Sequence, residues 1–190
     1  MMKEISLHIL DLLENSTKAG ATRVEMIIRT DTRLDRLSIE IRDNGHGIPA
    51  EKLNHVFDPF YTTRTTRRIG LGLPLIKQTV EACRGEIRLQ SVLGQGTCLS
   101  FWMQNSHLDR PPMGNLVDTI MSFISGNKNV DFFYEHYYND HKFLFNTLEL
   151  KAQLDDLAMM DNPEVYSFIR TYLMDNLKQL PGGNEDEVFS

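Results

Sequence analysis

Cysteine is scarce in this 190-residue chain, which has only Cys83 and Cys98. The pair has no metal-ligand spacing and both stand among apolar residues. They read as reduced core residues and point to a cytoplasmic protein rather than one stapled by disulfides. Long apolar runs are missing too: no stretch approaches the roughly 20 residues that a membrane span needs. The opening M-M-K-E-I-S-L-H-I-L-D sets His8 and Asp11 inside any apolar leader, so neither export nor membrane insertion is expected. There is no internal repeat and no basic excess. Residues 1–104 carry fourteen Lys and Arg against twelve Asp and Glu, whereas residues 105–190 carry six against fourteen. So acidic a second half repels phosphate and disfavours nucleic acid as a partner.

What is present is ordinary for a folded protein, with 41% apolar and 24% charged residues. Ile5, Ile9, Leu12 and Leu13 follow helical spacing and predict a helix over 3–18. Gly20 sits at its stop, and Glu4, His8, Asp11, Asn15 and Lys18 form its polar stripe. Strands follow at 23–29 and 37–42, joined by T-D-T-R-L-D-R, and then a short helix at 50–56. The segment F-D-P-F-Y-T-T-R-T-T-R-R-I-G-L-G reads as a polar, basic loop. Pro74 and Gly85 bracket a helix over 73–83, and strands at 86–92 and 97–104 flank the turn L-G-Q-G. This order predicts an α/β two-layer sandwich, one mostly antiparallel sheet with helices on one face.

Residues 105–115 read as a proline-glycine linker closing a domain over 1–104. Beyond it, 116–180 predicts a small α+β module packed on or beside the first layer: helices near 116–124, 149–158 and 162–179, and strands at 130–138 and 142–147. The aromatic run V-D-F-F-Y-E-H-Y-Y is expected to be strand and core; a base-stacking surface is the alternative, against which the acidic charge counts. The tail over 181–190 is expected to be disordered.

Four short motifs carry chemistry. In D-N-G-H-G-I, Asp43 ends a strand, and Gly45 and Gly47 let the backbone turn sharply and approach a flat ligand. A carboxylate so placed can accept a hydrogen bond from an exocyclic amine, as in reading an adenine; alone, the stretch reads first as an ordinary Asn-Gly turn. Asp11 and Asn15, four residues apart, point the same way. An amide oxygen can hold Mg²⁺ and a carboxylate one turn away can orient or deprotonate a water, although such a stripe is also what a solvated face looks like. R-R-I-G-L-G-L-P places two glycines at a helix N-terminus, where phosphates bind, next to Arg64, Arg67 and Arg68. G-Q-G-T opens the last strand at Thr97.

Taken together and in this order, the motifs resemble the boxes of the GHKL ATPase superfamily over residues 3–104. L-L-E-N-S-T-K-A-G-A-T is closest in wording to mismatch-repair ATPases; F-D-P-F-Y-T-T-R and G-L-G-L-P-L-I-K-Q-T-V are similar to sensor histidine kinases. The resemblance implies a Bergerat-type fold binding ATP or ADP with Mg²⁺. By position, Asp43 would hold the adenine amine with Thr97 behind it, and Gly45, Gly47 and Ile48 would shape the pocket. Asn15 would bind Mg²⁺, and Lys18 would lie near the phosphates. A lid from Phe57 to Ile69, with Thr63, Arg64 and Arg68, would cover the phosphates, and Gly70, Leu71, Gly72 and Leu73 would meet them. His46 fills the variable position of its box, so the glycines and Asp43 are the point of it. Where mismatch-repair ATPases and heat-shock chaperones place a glutamate as general base, this chain has Asp11, one methylene shorter. No histidine stands in a phosphoacceptor motif, and the ATP domain starts at the first residues. Transfer of phosphate would therefore need a separate partner protein as acceptor. The expected function is hydrolysis or transfer of the γ-phosphate. The alternatives are a non-catalytic ATP/ADP sensor whose lid gates partner binding, and a mismatch-repair-like DNA-associated ATPase.

Overall fold

The structure, a computed structural model, describes residues 4–58, 72–153 and 162–181. Helix α1 (Ile5–Lys18) leads into strands β1 (Arg23–Asp31) and β2 (Arg36–Asp43), then the single turn α2 (Ala50–Leu53). Helix α3 (Gly72–Ala82), strands β3 (Glu86–Val92) and β4 (Gly96–Gln104) and helix α4 (Leu116–Gly126) follow. Strands β5 (Asp131–Tyr138) and β6 (His141–Asn146) and helices α5 (Thr147–Ala152) and α6 (Pro163–Gln179) complete the order. The six strands form one sheet in the order β3-β4-β2-β1-β5-β6. Every neighbouring pair is antiparallel except β1 with β5, so the fold is the expected α/β Bergerat type. The expected lid Phe57 to Ile69 lies, beyond its first two residues, outside the described residues, as do Gly70, Leu71 and nearly all of the 181–190 tail.

Alternation writes the two faces of the sheet. Val24, Met26 and Ile28 of β1, Leu37, Ile39 and Ile41 of β2, and Leu99, Phe101 and Met103 of β4 all point into one core. Phe132 and Tyr134 of β5 and Phe143 and Phe145 of β6 extend it. Helix α1 lays Ile5, Ile9, Leu12 and Leu13 on that surface, α3 adds Ile76 and Val80, and α4 adds Leu116, Ile120 and Phe123. The other face carries arginines over aromatic rings: Arg23 over Phe133 at 4.2 Å, Arg29 over Tyr137 at 3.9 Å and Arg36 over Trp102 at 4.4 Å.

The second half continues the sheet of the first. β5 hydrogen-bonds along the whole of β1, from Arg23↔Asp131 to Thr30↔Tyr138, so the same sheet runs through both halves. The reason is pattern: Phe132, Tyr134 and His136 keep the inward alternation of β1 and bury on the same side. Residues 105–115 are tied down rather than loose. Pro112 and Met113 carbonyls accept from the Ile5 and Ser6 amides at 3.0 and 2.8 Å. Asp35 accepts from the Ser106 amide and hydroxyl at 2.8 and 2.6 Å. Of the cysteines, Cys83 is buried and Cys98 half-buried, and both are free.

Candidate functional site

The concavity opens where β2 ends and β4 begins, beneath the C-terminal half of α1. It has a volume of about 350 Å³, and its wall includes Asn15, Lys18, Asp43, Gly47, Leu73 and Thr97. Asp43 and Thr97 are direct partners across the β2–β4 ladder, which places the carboxylate beside the hydroxyl. One Asp43 oxygen accepts from the Ser16 hydroxyl at 2.9 Å and the other from the Gly45 amide at 2.9 Å. Two fixed donors leave the carboxylate in a set orientation with lone pairs still facing the cavity.

The glycine turn is shaped by close backbone contact. Gly47 has φ +70°, and a Cβ there would run into the carbonyl of Val92. The turn is stitched on both sides: His46 donates its amide to Ala19 at 2.8 Å and accepts from the Gly94 amide at 2.8 Å. Ile48 donates to the Ser91 hydroxyl at 2.8 Å, and that hydroxyl also meets Thr97 Oγ1 at 2.9 Å. The Asn44 amide oxygen accepts from the Thr22 and Arg23 amides, both at 2.9 Å, and fastens the α1–β1 connection to the turn. The His46 ring lines the cavity, with Nδ1 2.6 Å from the Gly47 carbonyl.

At the other end, Asp11 lies against the first turn of α3: a Cβ on Gly72 would strike its carboxylate. Lys18 pairs with Glu14 at 2.9 Å and is half exposed. Phe57 packs at the edge of the core with the Lys77 ammonium 5.4 Å from its ring. Thr63, Arg64, Arg68, Gly70 and Leu71 fall outside the described residues. Asn15, Lys18, Asp43, Gly47, Ile48, Leu73 and Thr97 are thus brought together, while Asp11 and Gly72 meet one turn of α1 further on.

Three residues at this site were not singled out from the sequence. Ser16, 3% exposed, orients Asp43, a partner 27 residues further along the chain. Ser91 ties the turn to β4, and Asn44 ties it to β1. Leu12, Ile41, Leu89 and Leu99 supply the apolar wall that a flat ring requires.

Residues 3–107 match the family model described as Histidine kinase-, DNA gyrase B-, and HSP90-like ATPase. The chain belongs to this family. Membership implies ATP binding. The chain is 42% identical over 85 residues to the Sensor protein kinase WalK of Staphylococcus haemolyticus and to that of Staphylococcus epidermidis. The same identity over the same length relates it to the protein of that name from Staphylococcus aureus. These matches cover 42% of this chain but only 14%, 14% and 20% of the relatives' own length. The family segment ends before α4, β5, β6, α5 and α6. Among the described residues no helix is long and apolar enough to cross a membrane.

Proposed function

We propose that this chain binds Mg-ATP in the β2–β4 concavity and hydrolyses it or passes its γ-phosphate to a separate protein. The observation that carries this reading is the polarity of the site. A doubly held carboxylate, Asp43, faces an apolar wall at one end, and Asp11 abuts the N-terminus of α3 at the other. Asp43 would take the adenine amine, with Ser16 and Gly45 keeping its oxygens in place. Gly47 and Ile48 would let the ring lie against Leu89 and Leu99. Thr97, held by Ser91, would fix the water or amine edge next to Asp43.

The residues also fit a magnesium ion. Asn15 offers a neutral oxygen on the cavity wall, a donor type that a hard cation accepts while keeping phosphate and water as its other ligands. Such an ion, when bound, neutralises charge on the phosphoryl oxygens. Asp11, one turn before Asn15, would orient a water or the γ-phosphate, and Lys18 would balance charge at the rim. The similarity to sensor protein kinases supports a protein acceptor. None of the histidines stands in an acceptor motif, so that acceptor would be another molecule.

A sensing role without turnover is favoured by one feature: the short Asp11 side chain is jammed against Gly72, closer to α3 than to open cavity. The deciding experiment is incubation of the full chain with Mg-ATP, following released phosphate and protein-bound label separately, beside Asp11→Asn. Turnover that Asp11→Asn removes establishes the catalytic reading. Nucleotide binding with neither product, in wild type and variant alike, establishes the sensor.

A further inference from the structure

Behind the site, the seam between α1 and α3 holds a buried histidine. His8 is 2% exposed, and among the described residues neither of its ring nitrogens has a hydrogen-bond partner. Buried polar groups are nearly always paired, so an orphaned imidazole in a folded core calls for a role. His8 sits one turn before Asp11 on the same stripe of α1, at the i, i+3 spacing that makes side chains neighbours. The two helices run in opposite directions: Asp11 meets Gly72, and His8 lines a cavity of about 320 Å³ with Leu75 and Thr79 of α3. The cavity continues to Asp109 and Pro111 of the tied-down linker and is roomy enough for water.

We propose that His8 is a positioning residue for Asp11. As a neutral ring it leaves the carboxylate turned towards the first turn of α3, and once protonated it pairs with Asp11 and draws it back from the nucleotide. The inference rests on the role given to Asp11 above.

Among the described residues, the charged groups shown near His8 are Asp11 and Asp109. Asp11 faces it from its own helix and Asp109 from the linker, the latter 3.9 Å from His107 Nδ1. The neighbouring Arg110 donates to the carbonyls of Asn105 and Pro111. Helix α3 presents Leu75, Gln78, Thr79 and Ala82, none of which titrates near neutrality. Burial pushes the His8 ring below its ordinary value, and the Asp11 charge pulls partly the other way. His8 is therefore neutral at pH 7, and acid converts it to the charged, Asp11-pairing form. The residue thus acts through Asp11 rather than on substrate.

Two measurements test it on the full chain. The first is the pH dependence of phosphate release and of ADP affinity, in wild type and in His8→Gln. Wild-type turnover should show an acid limb falling about tenfold per pH unit, the limb should vanish in His8→Gln, and ADP affinity should stay within about twofold. The same limb in both proteins overturns the proposal. The second is an NMR titration of the His8 ring without nucleotide, in wild type and Asp11→Asn. Loss of the Asp11 charge should lower the apparent ring pKa by about half a unit or more, and an unchanged value overturns the coupling. If the wild type shows no turnover at any pH, the catalytic reading of the site has failed, and the ring titration still decides whether His8 and Asp11 are coupled.

Discussion

The two ends of the central sheet are built from different materials. Where β2 ends and β4 begins, the contacts are backbone to backbone and hydroxyl to carboxylate: Ser16 and Gly45 on Asp43, Ser91 on Thr97, Gly47 against Val92. Across the sheet, β5 and β6 are held by rings: Phe123 lies 5.1 Å from Phe132, and Tyr134 lies 6.1 Å from Phe143. The first end keeps a concavity open and polar groups oriented. The second fills space and excludes water. A substitution at the first end should therefore change what the protein binds, and one at the second should change whether it stays folded.

The largest test of that division is Phe132→Ala. Phe132 is fully buried, and removing its ring should cost about 3–5 kcal/mol of stability, read by denaturant unfolding. ADP affinity of the molecules that remain folded should hardly move. Equal losses in both would show that the two ends are one cooperative unit in binding as well as in folding.

Acid probes the same end. His136 is buried, with Nδ1 2.7 Å from the Tyr134 hydroxyl, and burial lowers its pKa to about 4 from 6.5. Between those values the unfolded chain takes up a proton that the folded chain refuses. Stability is thus complete above about pH 6.5 and falls with acidity, by about 3 kcal/mol once pH reaches 4. His136→Phe should flatten that dependence, checked by melting temperature against pH.

At the polar end, Asp43→Ala should weaken ADP binding about 10- to 150-fold, the value of one hydrogen bond to a charged group. The unfolding midpoint should shift far less than in Phe132→Ala. An unchanged affinity by calorimetry removes Asp43 from the adenine reading. Smallest of all is Arg170→Ala, which breaks the partly exposed 2.6 Å pair with Asp118 between α6 and α4. Its expected cost is about 0.2–1 kcal/mol with no change in affinity.

This contrast also governs what could be read in advance. Strand β2 and helix α1 were legible because Leu37, Ile39 and Ile41, and Ile5, Ile9, Leu12 and Leu13, carry their periods in adjacent residues. The polar groups at the concavity were legible as a set, since Asn15, Asp43 and Thr97 sit in short boxes of fixed order. Ser16 was not, because nothing local says that a serine one place after Asn15 reaches across to a residue 27 positions later. His8 was placed on a polar stripe and turned out to be buried, because α3 covers that stripe as far as Thr79, a packing that helical periodicity in α1 does not contain. Both β5 and β6 were legible as strands, but their partner was not: parallel pairing with β1 is a choice made across most of the chain.

That choice has a consequence for assembly. Strand β1 is interior in this sheet only because β5 covers its free side; the Asn139 side chain even accepts from the Thr32 amide, 107 positions away. A chain stopped at residue 107 holds every family box and still leaves β1 as a naked edge of unsatisfied amides and carbonyls. Such edges recruit strands from other molecules. The residues from β5 onward therefore cover that edge, and a version shortened to residue 107 is expected to self-associate before it loses nucleotide binding.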